Sequence, residues 1–145
     1  MYSIPKYRIE LIRDGSQKTD AEKVNSPSDA VPIIQAYLER VDREHFIILL
    51  LDIKNKLIGI NTVSIGSLNA SVVHPREVFK AAILANAAAI IMAHNHPSGD
   101  VEPSKDDIES TIRIKNAGEI LGITLLDSII IGNNYYCSLK ERGLV

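Results

Sequence analysis

The chain has 145 residues, 46% of them hydrophobic and 23% charged, which is the size and balance of one soluble globular domain with a core of its own. A formal net charge of -2 supplies no overall attraction to a polyanion and argues against DNA binding by this chain alone. No apolar run is long enough to span a bilayer, so a membrane protein is excluded.

The opening MYSIPKYRIELIRDG lacks the basic stretch, apolar core and small-residue cleavage site of a secretory signal, so the expected setting is the cytoplasm. A single cysteine, Cys137, excludes an intramolecular disulfide and is expected to be a small packing residue.

In chain order, Tyr7, Ile9 and Leu11 alternate with charged residues, which predicts a half-exposed strand, and the polar run from Asp14 to Asn25 reads as surface loop. Residues 1–25 are expected to be peripheral. Ser26-Pro27-Ser28-Asp29 has capping-box spacing with proline at the first helical position. Ile33, Ile34, Tyr37, Leu38 and Val41 then follow helical period, which predicts a helix through about Val41.

His45 to Leu51 is a continuous apolar strand, and Leu57 to Ile65 a second, joined to it by a hairpin through Asp52–Lys56. His74-Pro75-Arg76-Glu77 opens a helix through about Asn86, and Ala88 to Ala93 is a short apolar strand ending at His94. Asn95 to Pro103 is a Pro/Gly loop. Ser104 to Asp107 repeats the capping-box spacing and starts a third helix that ends before Gly122. Thr124 to Ile131 and Tyr135 to Ser138 close the sheet through an Asn133-Asn134 turn. Strands alternating with helices predict a single α/β domain over residues 1–145, a mixed sheet with helices on both faces.

The chemistry concentrates in His94-Asn95-His96-Pro97-Ser98-Gly99-Asp100-Val101-Glu102-Pro103-Ser104-Lys105-Asp106-Asp107. Side chains at i and i+2 of an extended chain point to one side, so His94 and His96 present both imidazoles to one point. Pro97, Gly99 and Pro103 let the loop double back, which brings Asp107, in the first turn of the next helix, toward the same point. Two nitrogens and one oxygen suit Zn²⁺ and leave its fourth position to water, the arrangement of a catalytic site. Zinc lowers the pKa of that water to about 7. By itself Ser104-x-x-Asp107 is an ordinary capping box; the two histidines change its reading. Asp100 is a candidate outer-shell partner of an imidazole, with a plain Gly-Asp turn as the alternative. His45 and His74 have no spaced partner and are expected to pack or cap.

The pattern His-x-His, seven residues, Ser, two residues, Asp matches the JAMM motif at every specified position, a coincidence on the order of one in several thousand for a chain this short of average composition. With REHFIILLLD, GSLNASVVHPREVFKAAI, HNHPSGDVEPSKDDI and LGITLLDSIIIG, the chain resembles the RadC proteins from about Ser26 onward.

The resemblance implies a three-layer αβα, cytidine-deaminase-like JAMM/MPN fold and zinc-dependent hydrolysis of a peptide or isopeptide bond, with a protein or peptide as substrate. It implies His94, His96 and Asp107 as zinc ligands, Ser104 as support for the oxyanion and Glu44, just before a strand, as general base. Glu77 is the runner-up for that role, although its place in the first turn of a helix suits a cap. Two departures from the family pattern stand out: Leu126-Asp127-Ser128 replaces Leu-Leu-Asp-His, and Asn61 stands where an acidic residue is common. Two alternative functions accompany the hydrolase reading. One is a DNA-repair or recombination accessory, suggested by the RadC name; the other is a catalytically silent MPN interaction module.

Overall fold

A strand buried on both faces needs an apolar residue at every position, and Phe46–Leu51 supplies one. In the computed structural model, which describes residues 1–66 and 73–145, His45–Leu51 forms β1 and every residue after His45 is buried. β1 pairs antiparallel with β2 (Leu57–Ile65) on one side and with β3 (Ala89–Asn95) on the other. β3 runs parallel to β4 (Thr124–Ile131), and the short β5 (Tyr136–Ser138) completes the order β2-β1-β3-β4-β5. Ser67–Val72, part of the segment that carries the family resemblance, lies outside the described residues.

The pleat of β1 and β3 divides the core in two. Ile47, Leu49, Leu51, Ala89, Ile91 and Ala93 face α1 (Pro27–Tyr37) and pack on its Ile33 and Ile34. Phe46, Ile48, Leu50, Ile90 and Met92 face α2 (Pro75–Leu84) and α3 (Lys105–Leu121), meeting Val78, Phe79 and Ile114. Each such large side chain contributes about 1.5–3 kcal/mol by leaving water. The fold is therefore the expected α+β, three-layer arrangement with a mixed sheet at its centre.

α3 joins β3 to β4, so the carboxyl ends of two parallel strands and the N-terminus of the helix between them meet at one edge of the sheet. Such an edge is where open α/β sheets bind ligands. The helix ends at Gly122, whose φ of 75° is a left-handed conformation that glycine adopts without a Cβ penalty.

The N-terminal expectation needs correction. Tyr7, Ile9 and Leu11 form no strand; the segment is exposed and pairs with nothing regular, because an alternating pattern becomes a strand only with a neighbour to bond to. Residues 1–25 are also not wholly peripheral. Leu57 N–H donates to the Glu22 carbonyl (2.9 Å), Val24 N–H donates to Asn55, and Val24 is buried in the α1 layer. The first helix stops at Tyr37, short of Val41, with Leu38 as its cap, and the Ser26 hydroxyl makes no cap hydrogen bond. Cys137 is buried beside Ile130 and Leu139, as expected of a packing residue. Among the described residues no helix is long and apolar enough to cross a membrane.

Candidate metal centre

β3 ends at His94-Asn95 with His96 next in the chain, and the strand's alternation, carried one residue further, sends both imidazoles the same way. His94 is held rigidly: it is 5% exposed, sits opposite Phe46 in the β1 ladder, and has that ring 6.5 Å from its own centroid. His96 lies one step beyond the strand, where its N–H donates to the Ile131 carbonyl of β4 (2.9 Å). The two Nε2 atoms are 3.1 Å apart.

Asp107 comes from the N3 position of α3. Its backbone N–H donates to Ser104 Oγ (3.0 Å), and its Oδ2 accepts the Ser104 N–H (2.8 Å), a reciprocal capping box. The same carboxylate faces the histidines, with Oδ1 3.2 Å from His94 Nε2 and Oδ2 3.2 Å from His96 Nε2. All three expected ligands thus converge.

The donor set fits a metal ion. His96 Nδ1–H donates to the Asp100 carbonyl (2.7 Å), which in the neutral ring leaves the lone pair on Nε2, directed at the cluster. Two imidazole nitrogens and a carboxylate in mutual contact repel one another unless a proton or a cation lies between them. Tetrahedral zinc with ligand bonds of about 2.0–2.1 Å sets its donors roughly 3.3 Å apart, within a few tenths of an ångström of the separations here.

Burial works against ionisation of Asp107, yet hydrogen bonds from His94 and His96 prevail and hold its carboxyl far below the ordinary range. The Asp107 hydrogen bond likewise raises the His96 pKa, against desolvation, and the Asp100 carbonyl and the Glu44 charge add to the rise.

The remaining candidates divide. Glu44 is half-buried immediately before β1, near enough to His96 to act on it electrostatically. Ser104 is exposed at the tip of α3, its oxygen occupied by the Asp107 N–H. Glu77 is set apart on α2, ion-paired to Lys80 (2.8 Å). Asp100 does serve as an outer partner, but through its backbone carbonyl; its carboxylate accepts the Glu102 N–H (3.0 Å) instead. His74 stands at the N-cap position of α2 without a side-chain cap bond. Ser128, one of the two expected departures from the family pattern, is buried, and its hydroxyl has no hydrogen-bond partner among the described residues.

Sequence reasoning missed two contributors. Asn95, between the two histidines, bonds across to the residues on either side of Glu44. Gly132, at the β4–β5 turn, lets the ligand loop close: a Cβ there would stand 2.3 Å from the Gly99 carbonyl oxygen. The approach of Gly132 to Gly99 joins two loops far apart in the chain, which no local sequence pattern reports.

A cleft of about 550 Å³ opens beside His96, lined among others by Glu39, Asn95, Pro97 and Asn133. Phe46, Met92, His94, Asp107 and Thr111 line a small, partly open pocket of about 10 Å³, the space of a single water.

The family model for the RadC-like JAB domain matches residues 24–144. A UPF0758 protein of Staphylococcus haemolyticus is 55% identical over 131 residues, covering 90% of this chain and 56% of its own length. Another, from Caldanaerobacter subterraneus, is 50% identical over 140 residues, covering 95% and 60%. A third, from Desulfitobacterium hafniense, is 52% identical over 122 residues, covering 84% and 54%. The chain spans a little over half the length of these curated relatives. With its strand-end histidines and the helix-cap aspartate inside the matched region, the chain belongs to the RadC family and is built as a RadC-like JAB domain.

Proposed function

We propose that this domain is a zinc-dependent hydrolase that cleaves an amide bond in a protein or peptide, as a metallopeptidase or isopeptidase. The observation that carries the reading is the contact among His94 Nε2, His96 Nε2 and the Asp107 carboxylate, at 3.1–3.2 Å, beside a cleft that His96 lines. Zinc held there supplies Lewis acidity and a water acidified to a pKa of about 7.

The chain's own residues do the rest. The Asp100 carbonyl fixes the tautomer and direction of His96, and the two imidazoles keep Asp107 ionised. Glu44 accepts a proton from the attacking water and passes it to the departing amine. Ser104 Oγ has spent a lone pair on the Asp107 N–H, so its own proton remains to be donated to the developing oxyanion. The cleft has the volume of a ligand site, and its amide and carboxylate lining suits the backbone of an extended peptide.

The test combines metal analysis with mass-spectrometric screening of a peptide library. Zinc-loaded protein is expected to cleave library peptides, and Glu44→Gln is expected to keep its zinc and lose cleavage. Undiminished cleavage by that variant would overturn the role of Glu44, and no cleavage by the zinc-loaded parent would count against the hydrolase reading.

A further inference from the structure

Proton transfer needs a base held within hydrogen-bond reach of its partner, and Glu44 lies outside any regular element, one residue before β1. The backbone on both sides of it is nevertheless fixed by a single side chain. Asn95 Nδ2–H donates to the Arg43 carbonyl (3.0 Å), while Asn95 Oδ1 accepts the His45 N–H (2.7 Å). One planar amide therefore brackets Glu44. The Gly66 N–H, at the end of β2, donates to the Glu44 carbonyl (2.8 Å) and completes the hold.

Only a side chain with a donor and an acceptor on the same planar group can make both Asn95 contacts; aspartate lacks the donor and alanine lacks both. Strand alternation explains why this residue sits between two ligands. His94 and His96 project to one side of β3, and Asn95 projects away from them toward the start of β1. The same three residues thus place the imidazoles and fix the backbone that carries the carboxylate.

We infer that Asn95 is a positioning residue that sets Glu44 against the metal site; the inference rests on the reading of Glu44 as base. The test uses the whole chain loaded with Co²⁺, whose visible absorption changes with pH as groups at the metal ionise. Glu44→Gln sets the reference shift in the midpoint of that curve. Asn95→Ala is expected to retain one metal per chain, to move the midpoint in the same direction by at least half the reference shift, and to add nothing when combined with Glu44→Gln. Asn95→Ser keeps a hydroxyl for one of the two backbone groups and is expected to fall between the parent and Asn95→Ala; it also takes the place of the alanine variant if that one does not fold.

A parental midpoint in Asn95→Ala, or shifts that add in the double variant, would overturn the inference. So would loss of metal in both Asn95 variants, since the amide would then be holding the ligand strand and not Glu44. A Glu44→Gln curve identical to the parent's has a different meaning: it removes the base reading itself, and the inference with it.

Discussion

The N-termini of α1 and α3 carry the same Ser-x-x-Asp spacing and use it differently. At α3 the reciprocal box is complete, with Ser104 and Asp107 each accepting the other's N–H. At α1 the Ser26 hydroxyl meets Ser28 Oγ (2.7 Å) instead, and Asp29 Oδ2 accepts the N–H of Asn25 (2.9 Å), one residue ahead of the cap. Both carboxylates favour their helix, since each stands at its positive end. Only Asp107 is also faced by two imidazoles, because α3 starts where β3 ends and α1 does not. The spacing makes a cap; a strand end delivered to the same place makes a site.

This contrast breaks most sharply at the carboxylates. Asp107→Ala removes one of the three proposed ligands, so zinc affinity in a competition titration is expected to fall by more than the roughly 10–100-fold typical of losing an outer-shell partner. A variant that binds zinc like the parent would make Asp107 a cap and nothing else.

The next largest effect is expected at Gly132→Ala. The new Cβ must displace the Gly99 carbonyl, which costs about 1–3 kcal/mol in thermal or denaturant unfolding. Because the displaced loop carries the Asp100 carbonyl that orients His96, zinc affinity should fall about 10–100-fold as well. Lost stability with unchanged affinity would separate the loop from the site.

Dependence on pH sharpens the account without mutation. The hydrogen bond that His96 donates to the Asp107 carboxylate raises the His96 pKa above 6.5, so zinc bound there has to displace a proton held at higher pH than on a free imidazole. Affinity is therefore expected to decline as pH falls, starting above 6.5; a flat profile between about pH 8 and about pH 6 would contradict it. For the metal-free protein the signs are opposite for the two groups. The His96 contribution to stability is present below 6.5 and lost as pH rises through the folded value. That of Asp107 is present above 3.8 and lost as pH falls through its depressed value.

The smallest effect belongs to the other helix. Asp29→Ala is expected to cost about 0.5–1 kcal/mol, as a lost cap does, with zinc binding unchanged. Weakened zinc binding there would dissolve the distinction between the two ends.

The parts of the molecule legible in its sequence are those governed by local rules. The bounds of β1, β2, α3 and β4 follow from apolar runs, a cap and a C-terminal glycine, and the convergence of His94, His96 and Asp107 follows from i, i+2 alternation next to a helix start. What escaped depends on partners distant in the chain. Tyr7–Leu11 has a strand's alternation, but a strand also needs a neighbouring backbone, which no local pattern reports. Asn95 acts on residues 50 and 52 positions away. Asp100, 4 residues from His96, is legible as an imidazole partner; that its backbone carbonyl makes the contact is not, since every residue type possesses one. Ser26 shows the converse error, a correct spacing whose hydroxyl went to a nearer partner.

The central claim is that His94, His96 and Asp107 form a zinc site. It is tested most directly by elemental analysis of the purified chain beside its His96→Ala variant. The account predicts one zinc per chain in the parent and none in the variant. A parent that stays free of metal after zinc is supplied, or a variant that keeps its zinc, would contradict it.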